Sequence, residues 1–482
     1  MRKSKLTEYS FAENGSLRNL AYTMDAREWP SEFESALKGL LGDEWPAFRQ
    51  CLSETPPTSI RINPAKPCSV NAEATTVPWT QFGTYLPTRP VFTLDPRFHA
   101  GSYYVQEASS MFLEQVIRAH ADVGQPLNVL DLCAAPGGKS THLLSLISPA
   151  SLLVANDAIR SRVPVLSENI ERWGNCNVVV CNNDPEDFDR LPGFFDVVVV
   201  DAPCSGEGLF RKNPDAASQW STRAIERCAA RQRRILADVW PSLKEGGLLI
   251  YSTCTYNTQE NEENLAWFAA EHGAEFLSVT IPDEWGIVPS GERDVIGYRF
   301  FPHRVRGEGL FMSALRKTEQ TIVGRGGKTK SMLANPPADA VRRLKPWIRN
   351  SEDLHFFIHD NTLHFLPARK SEDVSWIVQN LSIMSVGTAA ATVRHSKLVP
   401  RHGLALSLWL DTSNVGTLPV DEMEAVAYLR KEPIHAATSK GGYAVVTFND
   451  LPLGWVNVLG NRINSLFPSN RRIRMTAREV DA

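Results

Sequence analysis

The sequence predicts an α/β protein built on a mostly parallel sheet with helices on both faces. Between about Gly101 and Lys317 short apolar runs alternate with longer helical patterns, the order expected of strand–helix units. Val197-Val-Val-Val200 is a continuous apolar run, as a strand buried on both faces requires. The chain of 482 residues is 43% hydrophobic and 22% charged, which suits a globular protein with a sizeable core.

Within that stretch the strands are expected at 128–131, 151–155, 177–180, 195–200 and 247–251. The helices are expected at 138–146, 159–173, 222–243 and 260–272. Residues 1–29 hold few apolar anchors and read as a loose extension. From 30 to 100 a helical pattern (Phe33, Leu37, Leu40, Leu41) gives way to Pro-rich loops and short strands. Residues 318–340, with Gly324, Gly326, Gly327, Pro336 and Pro337, read as a linker. Beyond it, strand-like pieces at 355–358, 443–447 and 454–458 suggest a small unit at 341–400 and an α+β or β-rich unit at 401–482. Residues 341–482 carry 17 Lys/Arg against 13 Asp/Glu. An independent tail predicts that truncation after Lys317 leaves ligand binding intact.

No run of ~18 apolar residues occurs, so no membrane span is expected, and the first residues lack the apolar core of a secretory signal. The net charge of -3 excludes a globally basic nucleic-acid binder but leaves local basic patches open. The eight cysteines include no Cys-x-x-Cys pair, which favours neither a disulfide framework nor a zinc site. A reducing, cytoplasmic setting, no metal and a monomeric state are the expectations.

Chemistry-bearing segments follow the strands. Asp131-Leu-Cys-Ala-Ala-Pro-Gly-Gly-Lys-Ser140 leaves the first strand and opens a helix, where glycines admit a ligand close to backbone. Cys133 stands where a P-loop needs Gly, so a phosphate cradle is disfavoured and a nucleoside cofactor is favoured over a plain tight turn. Asp157, after the second strand, suits ribose hydroxyls but also suits a helix cap; Asp184, after the third, suits an adenine amino group or a turn. The fourth strand ends in Asp201-Ala-Pro-Cys-Ser-Gly-Glu-Gly208 and the fifth in Tyr251-Ser-Thr-Cys-Thr255. Cys204 and Cys254 thus sit past adjacent strand ends, as candidate nucleophiles whose order these positions leave open. Residues 209–234 hold seven basic and two acidic residues, a solvated helix face or a nucleic-acid grip.

These segments resemble the motifs of the RNA cytosine-5 methyltransferases of the NOL/NOP/Sun family, which use S-adenosylmethionine. The resemblance extends to Ser59-Ile-Arg-Ile-Asn63, Tyr104-Val-Gln-Glu107, Arg299-Phe-Phe-Pro-His303 and Gly307-Glu-Gly309, and covers about residues 30–317. The tail resembles the PUA-like region of the bacterial 16S ribosomal RNA methyltransferase F branch, through Tyr428-Leu-Arg430, Pro452-Leu-Gly-Trp455 and residues 461–468. Pro185 departs from the pattern, since many relatives carry Gly there.

The resemblance implies a Rossmann-like methyltransferase sheet at 101–317, an N-terminal RNA-recognition or accessory region at 30–100 and a PUA-like RNA-binding domain at 401–482. It implies S-adenosylmethionine held by Cys133, Ala134, Ala135, Pro136, Gly137, Gly138, Lys139, Asp157, Asp184 and Asp201. It implies Cys254 as the thiolate that adds to cytosine carbon 6 and Cys204 as the residue assisting release. Asp201 would serve the base at N3, and Lys139 would support the loop or touch the base. Arg211, Lys212, Arg223, Arg227, Arg231, Arg471 and Arg472 are the expected RNA contacts. The substrate class implied is 16S ribosomal RNA or the small ribosomal subunit. The alternatives are transfer RNA, a non-catalytic RNA-binding assembly factor, and a thiol enzyme using another nucleoside cofactor.

Overall fold

The computed structural model describes residues 29–475 apart from 71, 292–293, 322–332, 396, 436–440 and 461. The expected extension at 1–29 lies almost wholly outside these residues, as do Gly324, Gly326 and Gly327 of the expected linker.

A ten-stranded sheet forms the centre. Its strands are β1 (Asn128–Asp131), β2 (Leu152–Asn156), β3 (Val178–Cys181), β4 (Phe195–Asp201), β5 (Leu243–Thr253), β6 (Ala274–Leu277), β7 (Val288–Ser290), β8 (Gly297–Phe300), β9 (Leu310–Lys317) and β10 (Ile383–Val386). The order is β7-β8-β9-β5-β4-β1-β2-β3-β10, with β6 on β9. Strands β3-β2-β1-β4-β5 run parallel and the flanking pairs antiparallel. The chain direction across the sheet reverses between β1 and β4, so the crevice at their carboxyl ends is where such sheets bind ligands.

Helices α1 (Gly138–Leu146), α2 (Val163–Trp173), α3 (Thr222–Val239) and α4 (Glu262–His272) cover the faces. Val129, Leu153, Val197 and Ile250 pack with Leu143 and Leu166 of α1 and α2 on one side. Leu130, Val154, Val198 and Leu249 pack with Leu236 and Phe268 of α3 and α4 on the other. That two-sided burial is why the strands read as unbroken apolar runs.

Helix α1 has the expected bounds, and the other three are shorter than expected. Helix α2 begins at Val163, not 159, because Pro164 suits only the first turn. Helix α3 stops at Val239, before Pro241, which cannot donate to a continuing helix. Strand β5 therefore starts at Leu243, earlier than the apolar run suggests.

The N-terminal part is a four-stranded antiparallel sheet, Thr75–Thr76, Gly83–Leu86, Thr58–Ile62 and Tyr103–Val105, preceded by the helix Ser31–Leu41. Arg61, wholly buried, reaches across to α1: it donates to Thr141 Oγ1 at 2.6 Å and to Gly138 O at 3.3 Å, and lies over the Trp173 ring. Phe33 and Phe48 pack with Phe210, Trp220 and Tyr256, so this part also braces the loops after β4 and β5.

The C-terminal part adds two four-stranded sheets, one from Leu354–His359, Thr362–Pro367, Thr388–Arg394 and Lys397–Pro400, the other from Gly416–Pro419, Gly442–Phe448, Leu451–Leu459 and Arg462–Ser465. The expected unit at 341–400 is not self-contained. Strand β10 pairs with β3 (Ile383 opposite Cys181, Val386 opposite Val179), and Val374 and Ile377 enter the core beside Phe188 and Phe195. No helix among the described residues is long and apolar enough to cross a membrane.

Candidate active site

The parallel register brings Asp131, Asp201 and the two cysteine loops to one end of the sheet. Asp201 closes β4 opposite Ser252 of β5, whose hydroxyl donates to Asp201 Oδ1 at 2.7 Å. Lys139, at the start of α1, is buried, and its ammonium contacts the same carboxylate oxygen at 2.8 Å. Burial alone would depress Lys139. The charges of Asp201, Asp131 and Cys254 outweigh it, so its pKa is held above the ordinary value.

Past these strand ends stand the cysteines. The sulfurs of Cys204 and Cys254 lie 3.0 Å apart, and both residues are half-buried and free of disulfides. The hydrogen bond with Cys254, reinforced by burial, pushes the Cys204 thiol well above its usual range. The two sulfurs are close enough for one hydrogen bond, in which either could donate. Gly208 is the point of closest loop approach: its N–H donates to Cys254 O at 2.9 Å, and a Cβ there would meet that oxygen and Gly309 O at 3.0 Å.

The loop from Cys133 to Lys139 is pinned from below. Ala134 N–H donates to Asn156 O at 2.7 Å, and Asp157 accepts from Ala135 N–H at 3.2 Å. Asp157 also accepts from Ile159 N–H at 2.9 Å and pairs with Arg162 at 3.2 Å. It is therefore a tie between β2 and the loop rather than a cap of α2, and burial raises its pKa. Gly137 adopts φ +115°, a conformation that L side chains rarely take, which is why the turn into α1 needs glycine. Asp131 accepts from Ser140 Oγ at 2.6 Å through one oxygen. Its other oxygen is buried without a partner, and burial lifts its pKa to about 7.

Asp184 stands apart from this set. It caps the short helix Pro185–Arg190, with Pro185 at the first turn, and both its oxygens face Arg234 at 3.2 Å. The turn role open to it in the sequence is thus the one the structure displays.

Two expected RNA contacts are occupied inside the protein. Arg211 is buried and donates to Gly307 O at 2.9 Å, Glu54 O at 3.2 Å and Thr55 O at 3.2 Å, and so holds loops together. Arg471 pairs with Glu171 of α2 at 2.8 Å. Lys212 contacts Glu308 at 3.3 Å but stays exposed. Arg223, Arg227 and Arg231 form an exposed stripe at helical spacing on α3 and make no ion pair among the described residues; Arg472 is exposed too. Sequence reading missed Glu207, Glu260 and Arg162, whose roles rest on contacts between distant segments.

Residues 122–316 match the family described as 16S rRNA methyltransferase RsmB/F. Residues 29–108 match the N-terminal domain of 16S rRNA methyltransferase RsmF, and 415–473 the methyltransferase RsmF PUA domain. The Ribosomal RNA small subunit methyltransferase F of Salmonella agona (strain SL483) is 32% identical over 389 residues, covering 77% of this chain and 78% of its own. That of Enterobacter sp. (strain 638) is 29% identical over 419 residues, covering 82% and 84%. A methyltransferase homolog protein of known structure from Pyrococcus horikoshii superposes with a TM-score of 0.51 at 26% identity, over 60% of this chain and 95% of that one. The NSun6 structure from the same organism, with a TM-score of 0.51 at 22% identity, covers 60% of this chain and 99% of its own and shares the fold.

Proposed function

The chain belongs to the ribosomal RNA small subunit methyltransferase F family, and from that premise we propose that it transfers a methyl group from S-adenosylmethionine to carbon 5 of a cytosine in 16S ribosomal RNA, through a covalent adduct on Cys254. The observation that carries the reading is the cysteine pair, 3.0 Å apart, beside the Asp201–Lys139 ion pair at the ligand end of the sheet. We further take the enzyme to act as a monomer in the cytoplasm.

The residues present fit the cofactor. Asp131, Asp157 and Asp201 bring three carboxylates against the cations Lys139 and Arg162, and one Asp131 oxygen has no partner. A bound sulfonium and ammonium would favour the ionised form of Asp131, whose pKa of about 7 leaves that charge available to the ligand. The loop 133–139 and Asp157 would hold it, with the Asp157 carboxylate toward the ribose. When bound, S-adenosylmethionine supplies an electrophilic methyl group.

Carbon 5 of cytosine is a poor nucleophile. Addition of the Cys254 thiolate to carbon 6 opens the 5,6 double bond and moves its electron pair to carbon 5. Lys139, whose pKa is raised in part by Cys254, stands near that sulfur as a cation. Asp201 meets the base at N3. Once the Cys254 sulfur is bonded to carbon 6 it is no longer the thiol partner of Cys204. The Cys204 thiol gives its proton to solvent water, and the thiolate so formed takes the carbon 5 proton, directly or through a water. The electron pair left at carbon 5 restores the double bond and expels Cys254.

Bisulfite sequencing of RNA from cells with and without the gene tests the reaction. A protected cytosine in 16S ribosomal RNA should disappear with the gene; an unchanged pattern there would remove the substrate assignment. The cofactor site is tested by Asp157→Ala, expected to weaken S-adenosylmethionine binding by ~1–3 kcal/mol in calorimetry, the cost of hydroxyls left unpaired. Unchanged affinity in the folded variant would take Asp157 out of the site. Because the target base must leave its stack, the RNA backbone must be gripped nearby. The exposed arginines of α3 are on the helix that contacts the Cys204 loop, through Gln232 and Pro203 O at 3.1 Å. Alanine at Arg223, Arg227 and Arg231 together is expected to lower the salt slope of RNA binding by about 2, at ~0.7 per contact on single strands. A slope equal to wild type would place the RNA path elsewhere.

A further inference from the structure

Two carboxylates, neither of them foreseen in the sequence, tie the cysteine loops to each other. Glu207 follows Cys204 by three residues and is buried, 2% exposed. Its Oε2 accepts from the backbone N–H of Tyr256 at 2.7 Å and of Asn257 at 3.0 Å, the second and third residues after Cys254. Its Oε1 accepts from Trp220 Nε1 at 3.0 Å. Glu260 follows Cys254 by six residues and is wholly buried. Its carboxylate accepts from the backbone N–H of Ser205, the residue after Cys204, at 3.0 Å, and from Gln232 Nε2 at 2.7 Å. The Asn257 side-chain amide lies between the two, donating to Glu260 Oε1 at 2.8 Å and approaching Glu207 Oε1 at 3.2 Å.

Each cysteine loop is thus held by a carboxylate belonging to the other. A buried carboxylate is costly unless its lone pairs are filled, and here each oxygen has a donor. Packing alone would be served by an apolar side chain. A carboxylate that accepts from backbone N–H groups of the opposite loop fixes the position of that loop's backbone, and so of the sulfur it carries.

We propose that Glu207 and Glu260 are positioning residues with divided tasks: Glu207 sets Cys254 for attack on carbon 6, and Glu260 sets Cys204 for the release step. The division follows from which backbone each one grips. This inference rests on the covalent reading of the two cysteines given above. It also accounts for Gln232, whose amide donates to Pro203 O at 3.1 Å as well as to Glu260, and so links the Cys204 loop to the carboxylate that grips it.

The test uses the full chain, S-adenosylmethionine and a 16S ribosomal RNA substrate. Gln replaces one acceptor oxygen by an amide that must face donors, with little change of shape. Glu260→Gln is expected to slow turnover and to raise the RNA–protein complex that survives denaturing electrophoresis by about tenfold, within the range through which small misplacements act. Glu207→Gln is expected to slow turnover without raising that complex. Placed in a Cys204→Ala background, Glu207→Gln should cut the trapped fraction by about tenfold. Gln232→Met should resemble Glu260→Gln, and it carries the test if thermal melting shows Glu260→Gln to be unfolded. A merely structural role predicts equal losses and no trapping in either glutamate variant, which would overturn the division of tasks. A complex from Cys204→Ala but none from Glu260→Gln or Gln232→Met would overturn the clasp alone. No complex from Cys204→Ala would overturn the covalent reading, and the clasp's kinetic role with it.

Discussion

Cys204→Ala is expected to accumulate a covalent protein–RNA complex, and Cys254→Ala to form none. The reasoning is kinetic. If Cys254 attacks carbon 6 and Cys204 assists the later loss of the carbon 5 proton, blocking the late step populates the intermediate made by the early one. Removing the nucleophile stops the sequence before any bond forms, and activity should fall by about 10,000-fold or more, the scale of losing a catalytic nucleophile. The 3.0 Å contact between the sulfurs gives the order a physical basis, because that contact and burial raise the Cys204 pKa well above its usual range and disfavour Cys204 as the attacking thiolate. Denaturing electrophoresis with labelled RNA reads both outcomes. Trapping by Cys254→Ala and not by Cys204→Ala would reverse the roles. Activity retained in both variants would end the covalent mechanism.

Truncation after Lys317 is expected to unfold or aggregate the catalytic sheet rather than leave a working cofactor site. Strand β10 covers the edge of β3, and Ser382 N–H donates to Asn183 Oδ1 at 2.8 Å beside it. The same segment puts Leu366, Val374, Ile377, Leu381 and Val386 into the core that contains Phe188, Phe194 and Phe195. At ~1.5–3 kcal/mol for each large apolar side chain buried, losing this set removes more than ~5 kcal/mol. That is comparable to the whole stability of an ordinary domain. The bared edge of β3 would also invite pairing between molecules. Thermal melting and cofactor calorimetry decide: the midpoint should drop by about 10 °C or more. A truncated protein with the melting point and S-adenosylmethionine affinity of the full chain would refute the coupling and restore the independent tail expected from sequence.

The positions of Lys139, Asp201, Cys204 and Cys254 were legible because parallel strands announce themselves locally. Each is a short apolar run, and the residues just beyond it must gather at one end of the sheet whatever the details of packing. The identity of the turn into α1 was legible for the same reason, since Gly137 and Gly138 answer a backbone requirement within a few residues. Helix ends were less so, because an apolar period continues past Val239 while Pro241 stops the helix.

What only the tertiary structure decided are the contacts between segments far apart in the chain. Arg211 belongs by sequence to a basic cluster, yet three backbone carbonyls from two other segments bury it. Glu207 and Glu260 look like surface acids until the cysteine loops close on each other. Strand β10 reads as part of a separate unit, and only the open edge of β3, about 200 residues earlier, gives it a partner. Local propensity and periodicity register the energy of neighbours along the chain, and so the sequence by itself determined the parallel sheet, its ligand end and the residues delivered there. Burial of a charge and pairing of an edge depend on what the fold brings from elsewhere, and no window of sequence contains that information.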